Sequence, residues 1–328
     1  MRLRLTLWLV GVVATLGILG GCASVFAAPR AVRQSFTSTT MGCVVTITVD
    51  DDDPVRARNA ARMAQLELDR LDGVLSDWKA NSELTALNSS SSLRVRASPD
   101  LCAVLRRALE ISRATNGRFD PTIAPFVALW RTTRESDVLP SNDALAAAKT
   151  RVGAAHWTVD GSEVVRARND LQLDFGGIGK GYGAICALRV LRDAGCPRAL
   201  VAIAGDLAVG EAPRGELGWS VAIAAEANDE SSEQLIACNQ AISTSGASQQ
   251  FVEVDGVRYA HIVDPRTGLG ATAIAQVTVV GPLDCAVDAL ATALTLCNSD
   301  AEAAAILRAS FPGFRARIER NEKAHWLP

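Results

Sequence analysis

The sequence predicts an α+β fold: a mixed sheet packed against helices, in a single large domain of two interlocked lobes. Strand-like stretches paired through short turns, with longer helical stretches between them, favour this class over a strict βαβ repeat. Of the 328 residues, 48% are hydrophobic and 21% are charged, which is the composition of a globular protein with a large core. No Pro/Gly/Ser-rich linker divides the chain into independent units.

The start of the chain has the layout of an export signal. Arg2 and Arg4 precede an apolar stretch over residues 5–19. The following Leu19-Gly20-Gly21-Cys22 resembles a lipobox, at which bacteria attach diacylglycerol to the cysteine and cleave before it. We therefore predict a signal peptide over residues 1–21 and lipidation of Cys22.

The rest of the chain is predicted to be a tether over residues 22–35 and a folded body over residues 36–328. Lipidation would anchor this body to a bacterial membrane, facing the periplasm or the cell exterior. Ordinary signal cleavage near residues 25–27 is the alternative, because the small residues there also suit a soluble-export peptidase.

Charge and cysteine spacing exclude several classes of protein. The formal charge of −3 becomes −5 without Arg2 and Arg4, and a mildly acidic surface argues against nucleic-acid binding. Seven cysteines remain after Cys22, and none of them has the CxxC spacing of a zinc ribbon or a thioredoxin-like site. Most lie in apolar runs, so we expect them to pack as free thiols.

Periodicity and turn residues place the elements along the chain. Pro54 suits a first helical turn and precedes apolar residues at helical spacing, whereas the β-branched run before it favours a strand. Asp255-Gly256 between two apolar runs is a strong hairpin signal. Helices are predicted at residues 54–76, 99–115, 180–194, 284–296 and 301–310, with a further apolar segment at 121–130. Strands are predicted at residues 44–49, 163–173, 198–204, 219–225, 251–254, 257–263 and 274–280.

A glycine-rich stretch around one lysine is the first candidate site. Residues 173–183 end a strand, place five glycines around Lys180 and open a helix. Glycines let backbone N–H groups approach an anion, and a helix N-terminus adds partial positive charge. A tight turn with a solvent-exposed lysine explains the stretch equally well. The spacing is neither a Walker A loop nor a GxGxxG fingerprint.

The second candidate site combines a histidine, an acid and an arginine. His261 stands close to Asp264 and Arg266 at the end of a predicted strand, where such clusters often line sites. A turn in which Asp264 caps the backbone and pairs with Arg266 is the simpler alternative.

The third candidate site is a pair of oxygen-bearing side chains. Asp288 and Thr292 are four residues apart on a predicted helix and share one face, so both can offer oxygens to one hard cation. The helix is otherwise apolar, and a buried carboxylate requires a partner. Two oxygens alone do not define a metal site.

Together these motifs resemble the ApbE family of magnesium-dependent FAD:protein FMN transferases, which are often made as lipoproteins. The resemblance spans nearly all of the exported body, and the order and number of the motifs are specific. The matching segments are TMG at 40–42, LSDW at 75–78, SEL at 82–84 with Asn88, GRFDPT at 117–122, the glycine–lysine stretch, STSG at 243–246, HIVDPRTG at 261–268 and DALAT at 288–292.

The resemblance implies an ApbE-like mixed sheet and a set of ligand contacts. The positions expected to contact FAD are Met41, Trp78, Arg118, Phe119, Asp120, Asp174, Lys180 and Ile262. Magnesium is expected on Asp288, the Thr292 hydroxyl, the Gly177 carbonyl and the backbone of Ala291. All-oxygen ligation suits this ion, which keeps waters and binds substrate phosphate oxygens.

Three segments depart from the family pattern. Residues 204–206 are Ala-Gly-Asp where two glycines usually precede the acid, and Gly246 is followed by Ala-Ser rather than by an acid or amide with an aromatic residue. Residues 268–270 lack the usual tyrosine and proline. The flavin pocket and the loop beside it are expected to differ in shape at these positions.

The implied reaction cleaves FAD between its phosphates, attaches FMN through a phosphoester bond to a Thr or Ser hydroxyl of an exported or membrane protein, and releases AMP. Lys180 is expected to stabilise phosphate charge, and His261 or Asp264 to accept the hydroxyl proton, with histidine the first choice near neutral pH. The partners are then FAD, a flavin-acceptor protein and the membrane, through the lipid anchor. The alternatives are an FAD pyrophosphatase that releases FMN and AMP, and a non-catalytic exported flavin-binding lipoprotein.

Overall fold

The fold is built on a central antiparallel sheet of eight strands. The structure is a computed structural model that describes residues 32–223, 233–246, 251–272, 275–320 and 323–328. Numbered along the chain, the strands are β1 (Val32–Thr40), β2 (Cys43–Asp51), β3 (Arg94–Arg96), β4 (Trp157–Asp160), β5 (Glu163–Arg166), β6 (Ala199–Ile203), β7 (Asp206–Val209), β8 (Trp219–Ile223), β9 (Glu233–Ala237), β10 (Gln240–Ser245), β11 (Phe251–Val254), β12 (Val257–Ala260), β13 (Gln276–Gly281), β14 (Arg315–Arg320) and β15 (Lys323–Leu327). The order in the central sheet is β1-β2-β6-β7-β10-β13-β14-β15. Three small sheets, β3-β5-β4, β8-β9 and β11-β12, accompany it.

The helices interrupt this series of strands. They are α1 (Pro54–Leu75), α2 (Glu83–Ser89), α3 (Pro99–Ala114), α4 (Ala124–Ser136), α5 (Asn142–Lys149), α6 (Gly179–Asp193), α7 (Ala286–Thr295) and α8 (Asp300–Ser310). Asp53 caps α1 by accepting from the N–H groups of Val55 and Arg56, and Pro54 occupies the first turn, where its missing N–H costs nothing. Within the described ranges, no helix combines the length and apolar character needed to cross a membrane.

Helices cover one face of the central sheet, and the β8-β9 pair covers part of the other. Buried residues of α1 and α6 pack on β2 and β6, while α3 and α7 pack on β13 and β14. On the opposite face, Trp219 and Ile223 of β8 pack on Val280 of β13. Strand β13 is buried at every position because both of its faces are covered.

The observed elements confirm the α+β class and most of the predicted elements. The central sheet differs from the predicted mixed sheet, because all of its strand pairs are antiparallel. Residues 31–328 form one compact unit, as expected for a single domain. The helix predicted at 54–76 runs over Pro54–Leu75, and that predicted at 99–115 runs over Pro99–Ala114. The hairpin at Asp255-Gly256 is also confirmed, with both turn residues at positive φ (51° and 76°).

Several predicted boundaries were wrong. The strand predicted at 163–173 ends at Arg166, because the chain then turns towards the glycine–lysine stretch, and the one predicted at 257–263 ends at Ala260. Strand β1 starts at Val32, so the last part of the predicted tether, 32–35, is paired with β2. The predicted signal peptide, Cys22, and residues 224–225 and 274 of two predicted strands lie outside the described residues.

Candidate active site

The glycine–lysine stretch brings the first turn of α6 into direct contact with α7. The Gly181 N–H donates to Asp288 Oδ2 at 3.0 Å. A Cβ atom on Gly181 would lie 2.9 Å from the Cβ of Asp288, so this approach requires glycine. The Asp288 carboxylate is only 2% exposed and lies at the positive end of the α6 dipole, which stabilises its charged form.

Lys180 lies between two buried carboxylates. Its Nζ is 3.0 Å from Asp206 Oδ2 and 3.6 Å from Asp288 Oδ2. The Ser243 hydroxyl donates to the other oxygen of Asp206 at 2.6 Å. Asp206 reaches this position because it follows the tight turn between β6 and β7, beside the end of β10. We call Lys180, Asp206, Ser243 and Asp288 the lysine cluster.

The charges in the lysine cluster act on one another. Burial raises the pKa of Asp288 to about 7, Asp206 adds to this rise, and Lys180 opposes it. Burial alone would lower the pKa of Lys180, but the two carboxylates hold it above its ordinary value. The lysine therefore remains cationic, and a second cation beside Asp288 would favour its ionised form.

The residues predicted to hold a metal converge beside the lysine cluster. A Cβ atom on Gly177 would lie 3.4 Å from Thr292 Oγ1, so the glycine stretch passes close to that hydroxyl. Ala291 is fully buried on α7 between Asp288 and Thr292, and the Ser245 hydroxyl is 3.5 Å from Thr292 Oγ1.

These donors fit a hard cation. A carboxylate, a hydroxyl and backbone carbonyls form an all-oxygen set, which is the chemistry that Mg²⁺ prefers. Among the residues that the structure describes, no group of three or more His, Cys, Asp or Glu side chains could hold a metal. A metal at Asp288 would therefore complete its shell with waters or with phosphate oxygens of a substrate.

Met41 lies in the tight turn between β1 and β2. We call the region between this turn, Trp78, Asp174 and the lysine cluster the cleft. It has a positive φ of 52°, and its N–H donates to Asp72 Oδ2 on α1 at 3.2 Å. Its Sδ lies 3.1 Å from the place that a Cβ on Gly183 would occupy. The turn is thereby held against both α1 and α6.

Trp78 follows the C-terminal end of α1, and it is 75% exposed. The guanidinium of Arg131 on α4 lies over the indole, 3.7 Å from the ring centroid, and also forms an ion pair with Asp77. On the other side of Trp78, Lys79 Nζ is 2.7 Å from Asp72 Oδ2. Charged contacts to two helices therefore hold the segment that carries this tryptophan.

Asp174 lies between the tryptophan segment and the lysine cluster. Its carboxylate accepts from the Gly176 N–H at 2.7 Å. Burial raises the pKa of Asp174 to about 6 and the charge of Asp77 adds to the rise, whereas Arg131 and Lys180 oppose it. Charges from both neighbouring groups therefore act on this acid.

The GRFDPT motif contributes to the cleft mainly through Phe119. Its ring lies 3.3 Å from the place of a Cβ on Gly177, so it packs on the glycine stretch. The Asp120 carboxylate accepts from the N–H and the hydroxyl of Thr122, at 2.8 and 2.6 Å, and burial raises its pKa. The buried Arg118 is directed elsewhere, because its guanidinium forms an ion pair with Glu302 on α8. The structure thus does not bring the Arg118 and Asp120 side chains into the lysine cluster.

The HIVDPRTG segment follows β12. His261 is exposed at its start, and Ile262 is buried with its carbonyl accepting from the Ala271 N–H at 2.9 Å. Both Asp264 oxygens accept from Arg266, Oδ1 from Nε at 2.9 Å and Oδ2 from Nη2 at 2.7 Å. Asp264 therefore forms the paired turn that was the simpler alternative in the sequence, and His261 is the more accessible of the two candidate bases.

Three residues of the cleft were missed as candidate site residues. Asp206 was considered only as the acid of an altered glycine segment. Its position directly after a glycine turn was a signal in the sequence that could have marked it as a site residue. Asp77 stands inside a matched motif but was given no role. Arg131 carried no signal, because its contact with Trp78 depends on the packing of α4 against the end of α1.

Comparison with known proteins identifies relatives of this chain. The family model described as "ApbE family" matches residues 41–317. An FAD:protein FMN transferase of Klebsiella pneumoniae is 32% identical over an alignment of 278 residues that covers 81% of this chain and 79% of the relative. One from Treponema pallidum is 31% identical over an alignment of 335 residues that covers 94% of this chain and 90% of the relative. The structure of the flavin transferase ApbE from Vibrio cholerae matches with a TM-score of 0.80 at 26% identity, covering 90% of this chain and 97% of that one.

The fold, the cleft and these relatives define the class of protein: it is an enzyme, a transferase. The family match covers most of the chain. The structure from Vibrio cholerae has the same fold as this chain over nearly the whole length of both proteins. The chain belongs to the ApbE family.

Proposed function

We propose that this chain is a magnesium-dependent FAD:protein FMN transferase. It attaches FMN through a phosphoester bond to a Thr or Ser hydroxyl of an exported or membrane protein, and it releases AMP. The observation that carries the proposal is the lysine cluster beside Thr292 at the N-terminus of α6, because a cation, a buried acid and helix N–H groups there suit a pyrophosphate with a metal. The names of the relatives support the same reaction.

The chain's own residues would bind and orient FAD. Lys180 stays cationic and is held by Asp206 at a fixed position, from which it can contact a phosphate oxygen. Met41 and Trp78 would contact the flavin ring, and Asp174, on which the charges of Asp77 and Lys180 both act, would lie between the ring and the phosphates. Asp288, Thr292, the Gly177 carbonyl and the Ala291 backbone would hold magnesium. When bound, magnesium would neutralise charge on the phosphate oxygens.

The transfer breaks the phosphoanhydride bond between the two phosphates of FAD and forms a phosphoester bond to the acceptor hydroxyl. The acceptor oxygen forms a bond to the FMN phosphorus, and the bond from this phosphorus to the bridging oxygen breaks, so that AMP leaves with that oxygen. The proton of the acceptor hydroxyl goes to His261, which is exposed directly after β12. The carboxylate of Asp264 is occupied by Arg266 and serves to shape the loop.

The test is to incubate the protein with FAD, magnesium and a flavin-acceptor domain, and to measure the acceptor by intact-protein mass spectrometry. We expect a gain of one FMN that is lost with chelator or with Asp288→Asn, while Asp193→Asn at the exposed end of α6 serves as the matched control. FMN and AMP released at the same rate without acceptor would favour the pyrophosphatase. Bound but intact FAD would favour the flavin-binding lipoprotein and contradict the proposal.

We also propose export and lipid anchoring through Cys22. The support is the sequence pattern of a charged start, an apolar stretch and a lipobox-like Leu19-Gly20-Gly21-Cys22. In bacterial cells we expect the wild-type protein to incorporate labelled fatty acid and Cys22→Ser to lose the label. A wild-type protein without label, shortened near residues 25–27, would favour ordinary signal cleavage instead.

A further inference from the structure

The side chain of Trp78 is oriented by charged neighbours and not by burial in the core. It is 75% exposed, so packing alone leaves the indole free to rotate. One of its ring faces is nevertheless covered, because the Arg131 guanidinium lies 3.7 Å from the ring centroid. This is well within the distance at which a cation is attracted to an indole face.

Arg131 is itself fixed by a second contact. Its Nη2 forms an ion pair with Asp77, the residue before Trp78, while its flat face lies on the indole. A guanidinium can make both contacts at once because it is planar, with donors on its edge and a stacking surface on its face. The Lys79 to Asp72 pair fixes the other flank of the same segment to α1. The segment that carries Trp78 is thus held to two helices by ion pairs, and one ring face of the tryptophan is covered.

We propose that Arg131 is a flavin-positioning residue for the transfer reaction. By covering one face of Trp78, it leaves the opposite face as the stacking surface for the isoalloxazine ring and sets the angle at which this ring enters the cleft. The inference rests on the proposed function, since it takes FAD as the substrate and Trp78 as its stacking partner. It goes further in giving a role to a residue of α4 that touches neither the phosphates nor the metal donors.

The direction of stacking follows from space and charge. The covered indole face has no room for a flavin while the guanidinium remains there, and the same guanidinium is also paired with Asp77. Charges of Asp77 and Arg131 both act on Asp174. Arg131 therefore contacts the indole of Trp78 and also acts on the charge of Asp174, next to the lysine cluster.

The experiment is a double-mutant cycle on the full exported body, with FMN transfer to an acceptor domain as the assay. Arg131→Gln and Trp78→Ala are made singly and together, and Arg134→Gln, one turn along α4 and exposed, is the control. We expect Arg131→Gln to raise the KM for FAD roughly threefold to tenfold with kcat at saturating FAD little changed. Arg131→Lys should restore part of the affinity, because an ammonium keeps the charge but not the planar stack.

The cycle separates positioning from general damage. In the Trp78→Ala background, Arg131→Gln should have little further effect on KM, because its partner is gone. Additive effects of the two changes, or a fall in kcat with an unchanged KM, would overturn the inference. A wild-type protein that neither binds FAD nor transfers FMN would instead overturn the proposed function.

Fluorescence of the free protein gives a readout independent of catalysis. The emission of Trp78 is obtained as the difference between each protein and its Trp78→Ala form. We expect Arg131→Gln, but not Arg134→Gln, to make this emission more accessible to quenching by acrylamide. Equal quenching in wild type and Arg131→Gln would show that the guanidinium does not cover the ring in solution, and would overturn the inference.

Discussion

The backbone N–H of Gly181 donates directly to the carboxylate of Asp288, and the two residues are so close that no side chain fits between them. This contact joins the start of α6 to α7 and fixes both the acid predicted to hold a metal and the lysine one residue earlier. Several expected outcomes follow from the geometry around it.

Gly181→Ala should damage the site more than a neighbouring glycine substitution does. Its Cβ would lie 2.9 Å from the Cβ of Asp288, so α6 and α7 must separate and the lysine cluster must open. We expect FMN transfer to fall by at least about tenfold, because small displacements of catalytic groups are costly. Gly179→Ala is the matched control, since its Cβ would meet only Phe175 at an ordinary 3.9 Å. Equal activity of the two variants would contradict the steric argument.

Lys180→Met should destabilise the protein in the absence of metal. Removing the ammonium leaves the buried Asp206 and Asp288 without their shared cation. We expect a loss of roughly 2–3 kcal/mol in the free energy of unfolding by urea, below the full value for a buried pair because the lysine is partly exposed. Magnesium should recover more stability in this variant than in the wild type. Lys323→Met, at an exposed position, should change neither quantity.

Asp174→Asn should alter the pH dependence of stability. The folded state holds the proton of Asp174 up to about pH 6, against an ordinary pKa of 3.8, so the folded state binds more protons between these values. The destabilisation from this acid is therefore absent below about pH 4, grows as pH rises, and is complete above pH 6. Urea unfolding at pH 4 and 7 should show that Asp174→Asn gains about 1–2 kcal/mol relative to wild type at the higher pH, after allowance for partial exposure. An unchanged slope, as expected for the Asp193→Asn control, would count against the raised pKa.

Ala204→Gly should stabilise the protein. Ala204 lies in the tight turn between β6 and β7 at φ 51°, in the left-handed region that favours glycine. The strain energy relieved in the folded state exceeds the conformational entropy that glycine adds to the unfolded chain. We therefore expect the free energy of unfolding, measured by heat or urea, to rise by about 0.5–1 kcal/mol. Ala167→Gly, at an exposed position that is not at positive φ, should lose stability. The prediction fails if both substitutions have the same sign.

His261→Ala should slow transfer at saturating magnesium by about 10²-fold, the lower end of the range for loss of a general base. Asp264→Asn should act differently, because its carboxylate holds Arg266 and the loop. We expect this second variant to lower the melting temperature, and His261→Ala to leave it nearly unchanged. Comparing single-turnover rates with melting curves distinguishes the two roles. A His261→Ala enzyme with nearly full rate would remove His261 as the base.

The sequence predicted the parts of the fold that have a local signal. Pro54 and Asp255-Gly256 marked a helix start and a hairpin correctly, since capping and turn geometry depend on adjacent residues. Strand β1 was missed because VRQSFTSTT is largely polar and becomes a strand through its pairing with β2. A strand cannot be predicted from its own sequence where pairing with a neighbouring strand, and not the segment itself, stabilises it.

The candidate site divides in the same way. Lys180, Asp288 and Thr292 were found because glycine density and helical spacing show in a single segment. Asp206 and Arg131 act through partners that are distant in the chain, Lys180 for the first and Trp78 for the second. Their roles emerge only when the sheet and helices bring those segments together.

The early start of β1 limits how far the catalytic domain can move from an anchor. Nine residues separate Cys22 from Val32, the first residue of the strand, and such a leash spans at most about 35 Å even when fully extended. Under the proposed lipid attachment, the enzyme would work within a few nanometres of the bilayer surface. Its location would then restrict its targets to proteins that are embedded in, or held against, the same membrane.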